Sequence, residues 1–174
     1  MKNRYIFLLI LALGISGMSA KNYIAAVGGT SAGAGTLASP YDIVTAVSKT
    51  VAGDTVYLRG GQYMYSSSLT ISKSGTSTAY LNVWAYPNEI PVLDFRSQAY
   101  NSSNPGVKLS GSYVYMNGIT IQGAGDNGMI ATGNNNRIEK CIFRWNCDSG
   151  LQMKTGSNNF IVNCDSYENF DYET

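Results

Sequence analysis

Three aspartates stand out because of where they fall in this chain: Asp126, Asp148 and Asp171 are separated by 22 and 23 residues. Side chains at that interval stack one above another if each interval is a single turn of a solenoid. Carboxylates about 5 Å apart would then repel by roughly 3 kcal/mol at an effective dielectric near 20. A cation between them, or splaying into water, relieves that repulsion. Calcium takes oxygen ligands, which suits a face rich in Asp. Arg144 and Lys154 lie close by in the sequence and are candidates for holding anionic substrate groups.

Each of these residues also has a purely structural reading. "DNG" and "DSG" are turn sequences in which Asp accepts local backbone N–H groups and Gly supplies the bend, and we give turn chemistry the greater weight. Exposed cations such as Arg144, Lys154 and Arg137 are mostly solvated surface. Trp145 and the tyrosines suit sugar stacking, yet aromatic side chains more often serve burial. The chain has no histidine, which removes His-activated nucleophiles and the usual zinc sites. "GGTSAGAGT" lacks the Gly-Lys-Ser/Thr ending of a phosphate loop, so it is not read as one.

The spacing of the aspartates belongs to a wider repeat. Segments starting at Gly106, Gly128 and Gly150 align with a period of 22 residues. Val107, Met129 and Leu151 form one apolar column, Met116, Ile138 and Ile161 a second, and Ile119, Cys141 and Cys164 a third. Strand-like runs of three to five residues alternate with Gly, Asn and Ser, and neither a leucine pattern nor a helical half accompanies them. We read an all-β fold, a right-handed parallel β-helix solenoid, with coils about 4.8 Å apart.

The elements around the repeat follow from the need to cover its ends. Residues 1–20, "MKNRYIFLLILALGISGMSA", have the charged start, apolar run and small residues of a secretory signal peptide. Residues 21–69 read as an N-terminal cap of strand, short helix and strand, with Ser39 as helix N-cap and Pro40 at the first helical position. Residues 70–174 read as β-helix coils, the earliest of them irregular, and the chain ends at Thr174 on a coil with no covering element, as an N-terminal fragment would.

Cys141, Cys147 and Cys164 are too few for a disulfide framework. Cys141 and Cys164 read as a ladder of small buried side chains rather than a bridge. Asn134, Asn135, Asn136, Asn158 and Asn159 read as turn residues with amides bonding between coils. A formal charge of +1 with scattered Lys and Arg gives no stripe for nucleic acid.

The combination of "SKSGTSTAYLNVWAYPNEIPVLDF", "SYVYMNGITIQGAGDNGM", "NNNRIEKCIFRWNCDSGLQM" and "NNFIVNCDSYENFD", in that order, resembles the first half of polysaccharide lyase family nine. The resemblance implies a secreted, monomeric pectate lyase, extracellular or at the cell surface. It implies calcium as cofactor, pectin or polygalacturonate as partner, and cleavage by β-elimination. It also places the family's calcium-binding Asp motifs and base lysine beyond residue 174, so no catalytic residue is assigned in this chain. The alternative from another class is a non-catalytic secreted β-helix adhesin or glycan-binding module.

Overall fold

A computed structural model describes residues 19–171, so nearly all of the expected leader lies outside the described residues. Strand β1 (Asn22–Ala25) and helix α1 (Ile43–Lys49) come first. The chain then winds in coils of three strands. The first coil is β2 (Thr55–Leu58), β3 (Gly61–Met64) and β4 (Leu69–Ile71), and the second is β5 (Leu81–Ala85), β6 (Pro91–Asp94) and β7 (Val107–Leu109). The third is β8 (Val114–Asn117), β9 (Thr120–Gln122) and β10 (Met129–Ala131), followed by β11 (Arg137–Glu139), β12 (Ile142–Arg144) and β13 (Leu151–Met153). Strands β14 (Phe160–Val162) and β15 (Asp165–Tyr167) begin a fifth.

Three parallel sheets result, each built from one strand per coil. Sheet A runs β1-β2-β5-β8-β11-β14, sheet B runs β3-β6-β9-β12-β15, and sheet C runs β4-β7-β10-β13. This is a right-handed parallel β-helix. Residues 55–69 therefore take part in the same three sheets as the later coils.

The apolar columns of the sequence are the register of the structure. Val107, Met129 and Leu151 are direct partners in sheet C, and Met116, Ile138 and Ile161 in sheet A. Ile119 and Cys141 fill the corner between sheets A and B with no solvent exposure, and Cys164 packs against that core from the coil beyond. All three cysteines are free thiols. Inward side chains recur at alternate positions of each short strand, as the pleat requires.

Corners turn on residues in the left-handed region, one column per corner. Tyr113, Asn135 and Asn158 precede sheet A strands, Lys140 and Asn163 follow Gly118 between sheets A and B, and Trp145 and Glu168 follow Gly123 after sheet B. A non-glycine residue there is strained by roughly 1–2 kcal/mol, so the surroundings must hold it. Side-chain amides do so. Asn136 accepts from Val114 N at 2.8 Å and donates to Gly111 O at 3.0 Å, while Asn136 N donates to Asn159 Oδ1 at 2.7 Å. A second ladder at the corner between sheets B and C uses Asn146, which accepts from Ala124 N at 3.0 Å, and Asn169, which accepts from Asn146 N at 3.2 Å.

The glycines that open each repeat have a packing reason. A Cβ at Gly106 would stand 2.7 Å from Gly128 O, and one at Gly128 would stand 2.5 Å from Gly150 O. Neighbouring coils approach too closely there for any side chain.

Helix α1 buries Ile43, Ala46 and Val47 and packs on β1, β2 and β4 at the start of the stack. Its N-cap is Asp42, not Ser39: the Asp42 side chain accepts from Thr45 N at 2.8 Å. Ser39 instead closes a local turn, its Oγ accepting from Ala34 N at 3.2 Å. Pro40 is not the first helical residue because the following Tyr41 is held extended, bridging to Ala25 with its N–H on Ile24 O at 3.0 Å. That pairing delays the helix to residue 43. At the other end, the last described coil leaves Phe160, Ile161, Tyr167 and Phe170 exposed.

Candidate functional site: a carboxylate recess at one corner

Asp126, Asp148 and Asp171 all follow sheet B and lie on successive coils at the corner leading to sheet C. The fold brings them to one place. They line a small recess of about 90 Å³ together with Tyr100, Ser102 and Cys147. Tyr100 and Ser102 come from residues 95–106, the long connection from β6 to β7 that breaks the repeat in the second coil. That connection is pinned across the coils: Asn101 N donates to Gly125 O at 2.9 Å, and Gly125 N donates to Gln98 Oε1 at 3.1 Å.

The three carboxylates differ in surroundings. Asp126 is buried, at 7% exposure, while Asp148 and Asp171 are half-buried. Ser149 Oγ donates to Asp148 at 3.3 Å. The Cys147 thiol is pushed up by burial and by the charge of Asp126, which places that carboxylate's field inside the recess. Cys147 is also anchored through its amide to Ala124 O at 3.0 Å. A wider, open groove of about 530 Å³ adjoins, also lined by Asp148 and Asp171 and adding Ser166, Tyr167 and Glu168.

Calcium requires six to eight oxygens at 2.3–2.6 Å. Among the described residues no three His, Cys, Asp or Glu side chains gather at a spacing that holds a metal ion. The aspartates thus share a recess without closing a coordination sphere, and no reaction step is assigned to them.

Arg144 and Lys154 are not brought together. Arg144 ends β12 on the outer face of sheet B, where its Nε donates to Gln122 Oε1 at 2.9 Å and its Nη1 to Tyr167 Oη at 3.2 Å. Its guanidinium lies 4.2 Å from the Trp145 ring centroid. Lys154 is exposed beyond the far end of β13, one strand of sheet C away from the corner that carries Asp148. Arg137 is tied to Glu139 by an ion pair of 2.8 Å.

Periodicity did not reveal the group behind Arg144. Asp94 has no solvent exposure, and it stands in one outward column of sheet B with Gln122 and Arg144. Gln122 Nε2 donates to Asp94 Oδ2 at 2.7 Å, which turns the amide oxygen of Gln122 toward Arg144. Arg96 adds an ion pair of 2.7 Å, and Gln62 donates to the same carboxylate. Burial alone would raise Asp94, but the hydrogen bonds from Arg96, Gln122 and Gln62 overcome it and hold the carboxyl at about 2. The guanidinium of Arg144 is therefore positioned by a chain of contacts that starts two coils earlier.

Comparison with known proteins now decides the lineage. The family described as Pel9A-like, right handed beta helix region matches residues 23–174. The chain belongs to this family. It is 41% identical over 138 residues to pectate lyase L of Paenibacillus polymyxa (strain SC2), covering 72% of this chain and 31% of that protein. It is 29% identical over 167 residues to pectate lyase L of Dickeya chrysanthemi, covering 90% of this chain and 39% of the relative. The crystal structure of pectate lyase Pel9A superimposes with a TM-score of 0.81 at 30% identity, covering 89% of this chain and 42% of that one. A rhamnogalacturonan lyase, at 18% identity and a TM-score of 0.61, shares the fold. The chain spans less than half the length of each of these Pel9A-like relatives. Among the described residues no helix is long and apolar enough to cross a membrane.

Proposed function

We propose that this chain is the N-terminal part of a secreted pectate lyase that cleaves polygalacturonate by calcium-assisted β-elimination, with the reaction centre on coils beyond residue 174. The observation that carries the reading is the family match across residues 23–174 on a three-sheet coil stack whose register continues strand by strand.

The chemistry sets what further coils must add. The hydrogen beside a uronate carboxylate is weakly acidic, so a base must be positioned at that carbon while the carboxylate charge is neutralised. Calcium, when bound, would supply that neutralisation. The residues present here fit a supporting part: Asp126, Asp148 and Asp171 make one corner acidic, and Arg144 is fixed on the adjoining sheet by Gln122. Such a corner raises the local cation concentration without binding one tightly. The leader at residues 1–20 supports export, and a single coil stack supports a monomer.

The test compares this chain with a longer protein that carries further coils. The chain alone is expected to release no unsaturated product from polygalacturonate, and the longer protein to release it, detected as a rise in ultraviolet absorbance that a calcium chelator abolishes. Product from the chain alone, or none from the longer protein with calcium present, would overturn the proposal.

A further inference from the structure

The outer face of sheet A carries an aromatic cleft that the carboxylate recess does not explain. Tyr57 on β2, Trp84 on β5 and Tyr115 on β8 come from three successive coils, with ring centroids 6.0 Å apart for the first pair and 5.2 Å for the second. The rings meet at 72° and 75°, so they do not stack closed over one another. Between them and Pro87 opens a cleft of about 350 Å³. Sheet A is the side of the coil that faces away from the corner between sheets B and C, where the aspartates lie.

Outward aromatics on a solvent-facing sheet are costly to leave bare, and half-buried Tyr and Trp with polar tips suit ligands that are apolar on one side and hydroxylated on the other. The polar groups here are of that kind. Asn117 Nδ2 donates to Tyr115 Oη at 2.9 Å, and Tyr115 Oη in turn donates to Glu139. The indole Nε1 of Trp84 is buried and has no hydrogen-bond partner among the described residues.

Charge selects the ligand. Two arginines border the aromatic patch, Arg59 over Tyr86 and Arg137 over Tyr115. Each is matched by a carboxylate at 2.8 Å, Arg59 by Glu89 and Arg137 by Glu139. The cleft residues themselves carry no ionised group. A polyuronate chain would bring a negative charge on every residue to a cleft whose two bordering arginines are already paired with carboxylates and would be disfavoured by desolvation. A neutral sugar chain meets no such cost.

We infer that the cleft formed by Tyr57, Trp84 and Tyr115 binds a neutral hexopyranose chain, the sugar faces lying against the rings. The site spans two coil intervals, about 10 Å, which suits a short run of residues rather than one ring. It needs only this chain and does not depend on the lyase reading, since its readout is binding and not product.

The experiment titrates the folded chain with galactohexaose, cellohexaose and hexagalacturonate by calorimetry at low and high salt. A neutral hexasaccharide is expected to bind with an affinity that salt does not change, and hexagalacturonate more weakly than either. Trp84→Ala should weaken binding about tenfold, and Trp84→Phe, which keeps a ring but loses the N–H, by less. Tyr57→Ala provides a second variant if the Trp84 variants fail to fold, with circular dichroism confirming the coil stack in each. Asp148→Asn should leave this binding unchanged. No heat with either neutral sugar, equal or tighter binding of hexagalacturonate, or undiminished binding in folded Trp84→Ala or Tyr57→Ala would overturn the inference.

Discussion

Asp94→Asn separates the electrostatics of sheet B from its packing. The side chain keeps its size, but an amide replaces a carboxylate that receives donors from Arg96, Gln122 and Gln62. At least one donor then faces another donor, and the Arg96 ion pair is lost. Breaking a buried charge network in this way costs about 3 kcal/mol or more at neutral pH. Part of that loss is pH-dependent with a fixed sign. The folded-state value of about 2 lies below the ordinary aspartate value of about 3.9. The ionised carboxylate therefore stabilises the fold above pH 4 by about 2.6 kcal/mol, and this is lost as pH falls, about half of it by pH 3. Urea unfolding of wild type and Asp94→Asn, followed by circular dichroism from pH 7 to pH 2, reads both effects. The two stabilities should differ most at pH 7 and converge toward pH 2. Parallel curves with a constant gap would show that the Asp94 charge is not what the surrounding donors hold, and the positioning of Arg144 through Gln122 would have to be abandoned with it.

Two further outcomes are expected. Asn136→Ala removes the acceptor for the buried Val114 N–H and the donor for Gly111 O; with unsatisfied buried groups costing about 1–3 kcal/mol each, the urea midpoint should fall by the equivalent of about 3 kcal/mol, and a change under 1 kcal/mol would contradict the ladder. Calcium titrated into the chain by calorimetry should show no site tighter than about millimolar, the weak end of oxygen-donor sites; a tighter saturable site abolished by Asp148→Asn would show that the aspartates do close around an ion.

The regular coils were legible because identical spacing becomes identical position: Met129 pairs with Val107 and Leu151 directly, so the period in the sequence is the register of sheet C. The Gly at each repeat start was visible as a pattern, while its reason, a neighbouring carbonyl 2.5–2.7 Å from any Cβ at Gly106 and Gly128, is a contact between coils that no local propensity encodes. The helix does not start at Ser39, a good capping residue, because its hydroxyl has a competing partner in Ala34 N and Asp42 lies three residues on. The aspartate column was legible, but the recess was not, because its other wall, Tyr100 and Ser102, sits in the connection that breaks the period. The Asp94 group escaped notice for a related reason: Asp94, Gln122 and Arg144 differ in type, so like-with-like columns do not find them.

The asparagine ladders give the molecule a direction. Val114 N is met by Asn136, Asn136 N by Asn159, Ala124 N by Asn146 and Asn146 N by Asn169, so each turn is finished by a side chain 22 or 23 residues later in the chain. Winding that follows synthesis would always leave its newest rung raw until the next one arrives. Growth from the amino end would then advance like a ratchet, each arriving amide locking the loop behind it.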